Sequence, residues 1–167
     1  MLITEFQRNP TAVADSRGEW LELQNVTDQV IDLEGWILED EGSDQVILSA
    51  GGAGLQILPN QCLVFGNELD RDLNGNVYVQ YDYGAFHLAN GADEILLRRP
   101  DGCLVDVVRY DALGTWPTEA GRSASLSWAA RDELKNDLGI NWCPSDYVYD
   151  GTLADRGSPT RANGACP

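Results

Sequence analysis

Asp70-Arg71-Asp72-Leu73-Asn74-Gly75-Asn76 sets oxygen-bearing side chains at alternate positions ahead of a glycine, the D-x-D-x-N-G opening of a calcium loop. Hard divalent cations take carboxylate, amide and carbonyl oxygens, so this spacing names Asp70, Asp72, Asn74 and the main-chain carbonyl of Asn76 as ligands. Calcium is the cofactor these residues suggest. The twelfth position of the loop is Tyr81, and Asp82 beside it has a shorter carboxylate than the bidentate glutamate such loops use. Affinity is therefore expected in the range of extracellular modules, on the order of 10⁻⁴ to 10⁻³ M. A plain acidic hairpin loop is the alternative.

Catalysis has less to work with. A nucleophilic triad needs a hydroxyl or thiol, a base and an orienting acid, and His87 is the only histidine. It stands between Phe86 and Leu88 at an expected strand end, where a partly buried structural role fits it. Gly121-Arg122-Ser123-Ala124-Ser125 departs from the G-x-S-x-G elbow at its last position and reads as strand, without the strand-to-helix turn that exposes such a serine. Carboxylate pairs such as Asp150 with Asp155, or Glu39 with Asp40, have the chemistry of glycoside hydrolysis, but 27 acidic residues make such pairs common. The expectation is a chain that is not an enzyme; a minimal hydrolase built on His87 is an alternative.

Cys62, Cys103, Cys143 and Cys166 are scattered singly, without the close spacing of zinc sites, and so suggest disulfides and an oxidising, extracellular compartment. Among three possible connectivities the expected one joins Cys143 to Cys166, which bracket an irregular C-terminal stretch, and Cys62 to Cys103. Cys62 begins an expected strand and Cys103 ends a turn in a hairpin expected beside it. Eleven basic against 27 acidic residues give a net charge of -16, which repels nucleic acid and anionic lipid and leaves cations and basic protein patches as electrostatic partners. Apolar runs of five to seven residues are far too short to span a bilayer. No membrane insertion is expected.

The elements that must position these groups are β-strands. Short apolar runs alternate with turn chemistry, and no window holds a long 3.6-residue period. Strands are expected at Leu2–Phe6, Glu19–Asn25, Val30–Leu33, Trp36–Asp40, Gln45–Ser49, Gln61–Gly66, Val77–Tyr83, Glu94–Arg99, Leu104–Tyr110 and Ser123–Trp128. In Glu19–Asn25 the Leu21 and Leu23 side chains share one face, which predicts a strand with one buried and one wet side. Trp20 needs a partner on the other, and Trp116 and Trp142 read as core or cover. Pro100-Asp101-Gly102 predicts a hairpin, and Gly35 before Trp36 a bend. The segment 129–138 has the composition for a turn or two of helix, and the Pro-, Gly- and Asp-rich tail beyond Trp142 needs a staple to stay on the body. The whole of 1–167 reads as one domain, strands in 1–128 and helical turn plus tail in 129–167, excised from a longer exported protein.

In order along the chain, Leu2-Ile3-Thr4-Glu5, Glu19-Trp20-Leu21-Glu22-Leu23 with Asn25, Ile31-Asp32-Leu33-Glu34-Gly35-Trp36, Leu88-Ala89-Asn90-Gly91-Ala92-Asp93, Val105-Asp106, Asn141-Trp142 and Gly157-Ser158-Pro159 with Asn163 resemble the lamin tail domain family. The resemblance implies an immunoglobulin-like β-sandwich with a role in binding or architecture and no established catalytic residues. Four cysteines, strong acidity and the lack of a preceding coiled coil set this chain apart from nuclear lamins and favour a bacterial, exported relative. The reading is a non-catalytic accessory module, secreted or on the cell surface, that docks to a protein, cell-surface or polysaccharide ligand. A calcium-dependent carbohydrate-binding module is the alternative.

Overall fold

A computed structural model of the protein describes residues 1–84, 86–149 and 155–167. In chain order the elements are β1 (Leu2–Gln7), a one-turn helix α1 (Asp15–Gly18), β2 (Trp20–Gln24), β3 (Ile31–Asp32), β4 (Ile37–Glu39), β5 (Gln45–Ile47), β6 (Gln56–Ile57), β7 (Cys62–Gly66), β8 (Tyr81–Asp82), β9 (Asp93–Arg98), β10 (Leu104–Tyr110), β11 (Ala124–Leu126), 3₁₀ turns at Trp128–Ala130 and Gly139–Asn141, and β12 (Trp142–Pro144). They form an immunoglobulin-like sandwich. One sheet runs β12-β11-β1-β2-β7-β8, the facing sheet runs β10-β9-β4-β5, and β3 pairs with β6 as a small ribbon. Among the described residues the named strands pair antiparallel except β7 with β8, and a single parallel bridge joins Arg122 to Arg156.

The core lies between the two large sheets. Phe6, Leu21, Leu23 and Phe65 from the first meet Leu38, Ile95, Leu97 and Val108 from the second. Phe6 stacks on Tyr110 at 4.8 Å between ring centroids and lies 5.4 Å from Trp142, which in turn lies 5.4 Å from Trp116. Trp116 and Trp142 are thus core residues. Trp20 points the other way and is buried beneath Tyr149, edge-on at 6.5 Å.

Most expected strands are present within a residue or two, and the Pro100-Asp101-Gly102 hairpin closes with Gly102 at φ +82° and Arg99 N–H donating to the Cys103 carbonyl. Gly35, at φ +78°, makes the bend before Trp36. Two expectations fail for local reasons and one is met only in part. The apolar run Val77–Tyr83 pairs only at Tyr81 and Asp82, because Val79 N–H turns back to the Val77 carbonyl. Over 129–138 the chain makes one isolated turn, closed by Asn136 N–H on the Asp132 carbonyl, and the Asn136 side chain then turns inward to donate to Asp106 at 2.8 Å. Strand β2 has no wet side, since Trp20, Glu22 and Gln24 are as buried as the leucines between them.

What covers that second side is the tail. Cys143 on β12 is bonded to Cys166, with 5.6 Å between their α-carbons. Residues 155–166 lie over the outer face of β1, β2 and β11. Cys62 and Cys103 do not pair. Cys62 is on β7 of the first sheet, facing the tail beside Glu22, whereas Cys103 is exposed in the β9–β10 hairpin of the other sheet. The expected bridge placed that hairpin beside the wrong sheet. Among the described residues no helix is long and apolar enough to cross a membrane.

Candidate functional site

Between tail and sheet lies a buried polar layer. The β1–β2 register shifts between Ile3 and Glu5, a bulge that lets the consecutive residues Thr4 and Glu5 both serve this layer. Glu5 accepts hydrogen bonds from the Ser123 hydroxyl at 2.5 Å and from the Ser158 main-chain N–H and hydroxyl, each at 2.7 Å. Glu22 accepts from the Thr4 hydroxyl at 2.7 Å and from Thr160 N–H at 2.8 Å. Asn163 completes the stitching by donating to the main-chain carbonyls of Thr4 and Leu126. Lower on the tail, Asp155 accepts from Thr11 N–H, the Thr11 hydroxyl and Ala12 N–H.

Burial dominates the electrostatics here. It raises the Glu5 carboxyl above its ordinary range, and for Glu22 burial together with the neighbouring Glu5 pushes the carboxyl up to about 8, against hydrogen bonds that pull it down. Glu22 is therefore mostly protonated at neutral pH. The Cys62 thiol beside it is pushed upward by burial, then by Glu22, the reverse of the cationic setting that makes a reactive thiolate.

At one end of the layer a cavity of about 240 Å³ opens to solvent. Its floor is the sheet, with Thr4, Glu22, Gln24 and Cys62. Its rim is the turn after β11, with Trp128 and Arg131, and the tail, with Arg161 and Asn163. Trp128 as a residue is 57 % exposed although its main-chain N–H is held by the Gly164 carbonyl. Arg131 donates to the Gln24 amide oxygen at 3.1 Å, and Arg161 lies over the Tyr147 ring at 5.9 Å. Sequence reading missed this site. Trp128 closed the last expected strand, Arg131 followed it, Arg161 sat in the tail, and their meeting on β2 depends on contacts between residues more than a hundred positions apart.

The residues singled out in the sequence have other employment. Asp70 Oδ1 caps Asp72 N–H in the loop before β8, the Asn74 amide oxygen accepts from Val77 N–H, and the Asn76 carbonyl accepts from Arg71 at 3.3 Å. The Asn74 amide nitrogen spans the carbonyls of Glu68 and Val77, so the loop is tied by its own asparagine, and three of the four expected calcium ligands already have partners. Among the described residues no group of three or more His, Cys, Asp or Glu side chains is placed to hold a metal. His87, expected to be partly buried, has a side chain 59 % exposed, with Nδ1 4.0 Å from Glu19. Ser123 is buried and donates to Glu5. Glu39 pairs with Arg98, Asp40 caps Gly42 and Asp44, and Asp150 lies outside the described residues.

No curated protein and no solved structure matches the chain. A family model does: the Lamin Tail Domain matches residues 1–112, two-thirds of the sequence. The matched stretch contains Glu5 and Glu22 but ends before Ser158 and Thr160, the tail residues they hold. With the sandwich in place and the Glu5 and Trp20-Leu21-Glu22-Leu23 positions at its centre, the chain belongs to the lamin tail domain family.

Proposed function

We propose that the chain is a non-catalytic accessory module of an exported or cell-surface protein, docking it to a protein or surface ligand. One observation carries this reading. Glu5, Glu22, Asp155 and Ser123, which have the chemistry for catalysis, are spent on holding the tail, while the open rim at Trp128, Arg131 and Arg161 is left for recognition. Exposed aromatic and guanidinium groups beside a cavity are the residue types that dominate binding energy at recognition sites. The Cys143–Cys166 bridge supports an oxidising location.

The test is a panel of ester, peptide, phosphodiester and glycoside substrates. No turnover above background is expected; a turnover abolished by one substitution that leaves the fold intact, His87→Ala first, sinks the reading. Trp128 favours one second reading, a carbohydrate-binding module, since a solvent-facing indole suits stacking on a sugar ring. A glycan array read with and without chelator separates calcium-dependent saccharide binding from docking to protein.

A further inference from the structure

We propose that the cavity beneath Trp128 binds a small ring-bearing monocarboxylate, its carboxylate on Arg131 and Arg161 and its ring against Trp128. This deepens the reading of the chain as a binding module and rests on it. Four features point to such a ligand. The first is cationic. In a chain with 27 acidic residues, neither Arg131 nor Arg161 has a carboxylate within ion-pair distance among the described residues, a state they share with Arg8, Arg17 and Arg156, but these two alone among those line the cavity. Arg131 is oriented through a single N–H on Gln24, which leaves the rest of its fork for a ligand, and a guanidinium fork matches a carboxylate bidentately.

Size is the second feature. About 240 Å³ is below the roughly 300–1,000 Å³ of pockets that enclose drug-sized molecules, so one ring and its substituent fill it. The third is the indole of Trp128, exposed at the rim where a ring entering the cavity would lie on it. The fourth is the floor. The polar groups of Thr4 and Asn163 are engaged in bonds within the protein, and Glu22 accepts two hydrogen bonds. With its carboxyl pushed up to about 8, Glu22 presents a mostly neutral surface to an anion at neutral pH. The net charge of -16 then limits the ligand's own charge, because a polyanion meets the field of the whole chain while a monoanion meets mainly the two arginines.

The experiment titrates the full chain with phenylacetate and with glucuronate, following the indole N–H resonance of Trp128, assigned by W128F. Phenylacetamide, methyl glucoside and inorganic phosphate serve as neutral and higher-charge comparisons. A saturable shift is expected with at least one carboxylate, with a dissociation constant on the order of 10⁻⁴ to 10⁻³ M for a ligand this small. Which one binds tells an aromatic acid from a sugar acid. R131A and R161A, at exposed positions, should keep the parent melting temperature and weaken binding about tenfold, the loss of one charge-assisted hydrogen-bonded contact. The proposal is overturned by no shift with either carboxylate, by equal binding of the neutral analogue or of phosphate, or by unchanged binding in both arginine variants. Any of these leaves the module reading standing, since that reading fails only on turnover.

Discussion

On the inner face of the six-stranded sheet, Phe6, Leu21, Leu23 and Phe65 are fully buried against the opposite sheet; on the outer face the same strands bury Glu5, Glu22 and Gln24 against the tail. Burial is equal and the physics is not. The inner face is stabilised by apolar area and close packing, which tolerate volume-conserving exchanges among hydrophobic residues. The outer face buries carboxyls, which costs free energy unless each finds donors, and the donors come from one irregular segment. The inner face therefore holds two sheets together, while the outer face specifies where a single stretch of chain must lie. The cavity with the exposed Trp128 lies where that second, more exacting layer ends.

The sharpest way to break this comparison is to truncate each face in turn and measure urea unfolding. Phe6→Ala removes a ring that meets Tyr110 and Trp142, and a loss of about 3–5 kcal/mol is expected for such a core truncation. Cys143→Ser with Cys166→Ser opens a bridge across a sequence separation of 23, and the chain-entropy model gives a loss of about 3 kcal/mol. Glu5→Ala strands the Ser158 and Ser123 donors and should cost about 2 kcal/mol, with protease cleavage appearing first in the tail. An outer-face loss exceeding that of Phe6→Ala would make the polar layer, and not the sandwich interior, the principal source of stability.

A pH series sharpens the contrast, because only the outer and peripheral carboxyls titrate. Folded-state values lie above the unfolded ones for Glu5, for Glu22 and Glu19 at about 8, and for Asp106 at about 7, burial being the leading cause in each. Between the unfolded values of 4.5 or 3.8 and these raised ones, the folded chain holds more protons than the unfolded chain. Stability therefore falls as pH rises through roughly 4.5 to 8 and levels off above, the opposite of a chain stabilised by salt-bridged carboxylates. Urea midpoints at pH 5.5 and 8.5 measure it. Glu22→Gln, which keeps shape without ionising, should flatten the decline; a parent protein more stable at pH 8.5 than at 5.5 would contradict the assignment.

The same two faces differ in how far sequence alone reveals them. Leu21 and Leu23 announce the inner face by alternation, a local signal, and the apolar runs place nearly every strand. Glu22 stands between them looking like a solvent-facing residue, because the groups that bury it, Thr4 and Thr160, lie 18 and 138 positions away. Spacing carries no trace of such partners. The Cys143–Cys166 bridge was legible because the two cysteines bracket one irregular segment. Cys62 and Cys103 misled because hairpin chemistry fixes a turn but says nothing about which sheet the hairpin joins. Strand β12 went unread since Trp142-Cys143-Pro144 is three residues long and ends in proline, and the rim of the cavity went unread with it.

The smallest expected effect concerns the acidic loop. Its motif predicts calcium ligands at Asp70, Asp72, Asn74 and Asn76, but a ligand oxygen must be free to face the ion. Asn74 is buried, its oxygen accepting from Val77 N–H at 2.9 Å and its nitrogen spanning two carbonyls, so turning it toward a cation would break three hydrogen bonds at once. Arg71 donates to the Asn76 carbonyl and sets a positive charge where the ion would sit. Asp70 and Asp72 remain, and two carboxylates without a bidentate glutamate make a poor cage. At calcium near an assumed dissociation constant of about 10 mM, linkage adds only about 0.4 kcal/mol, or a melting shift under about 2 °C. Thermal unfolding with calcium against magnesium at equal ionic strength checks this, and Asp70→Ala with Asp72→Ala should behave as the parent does. A calcium-specific rise of several degrees that disappears in that double variant would show that the asparagine-tied loop opens for the ion, and would restore the motif's first reading.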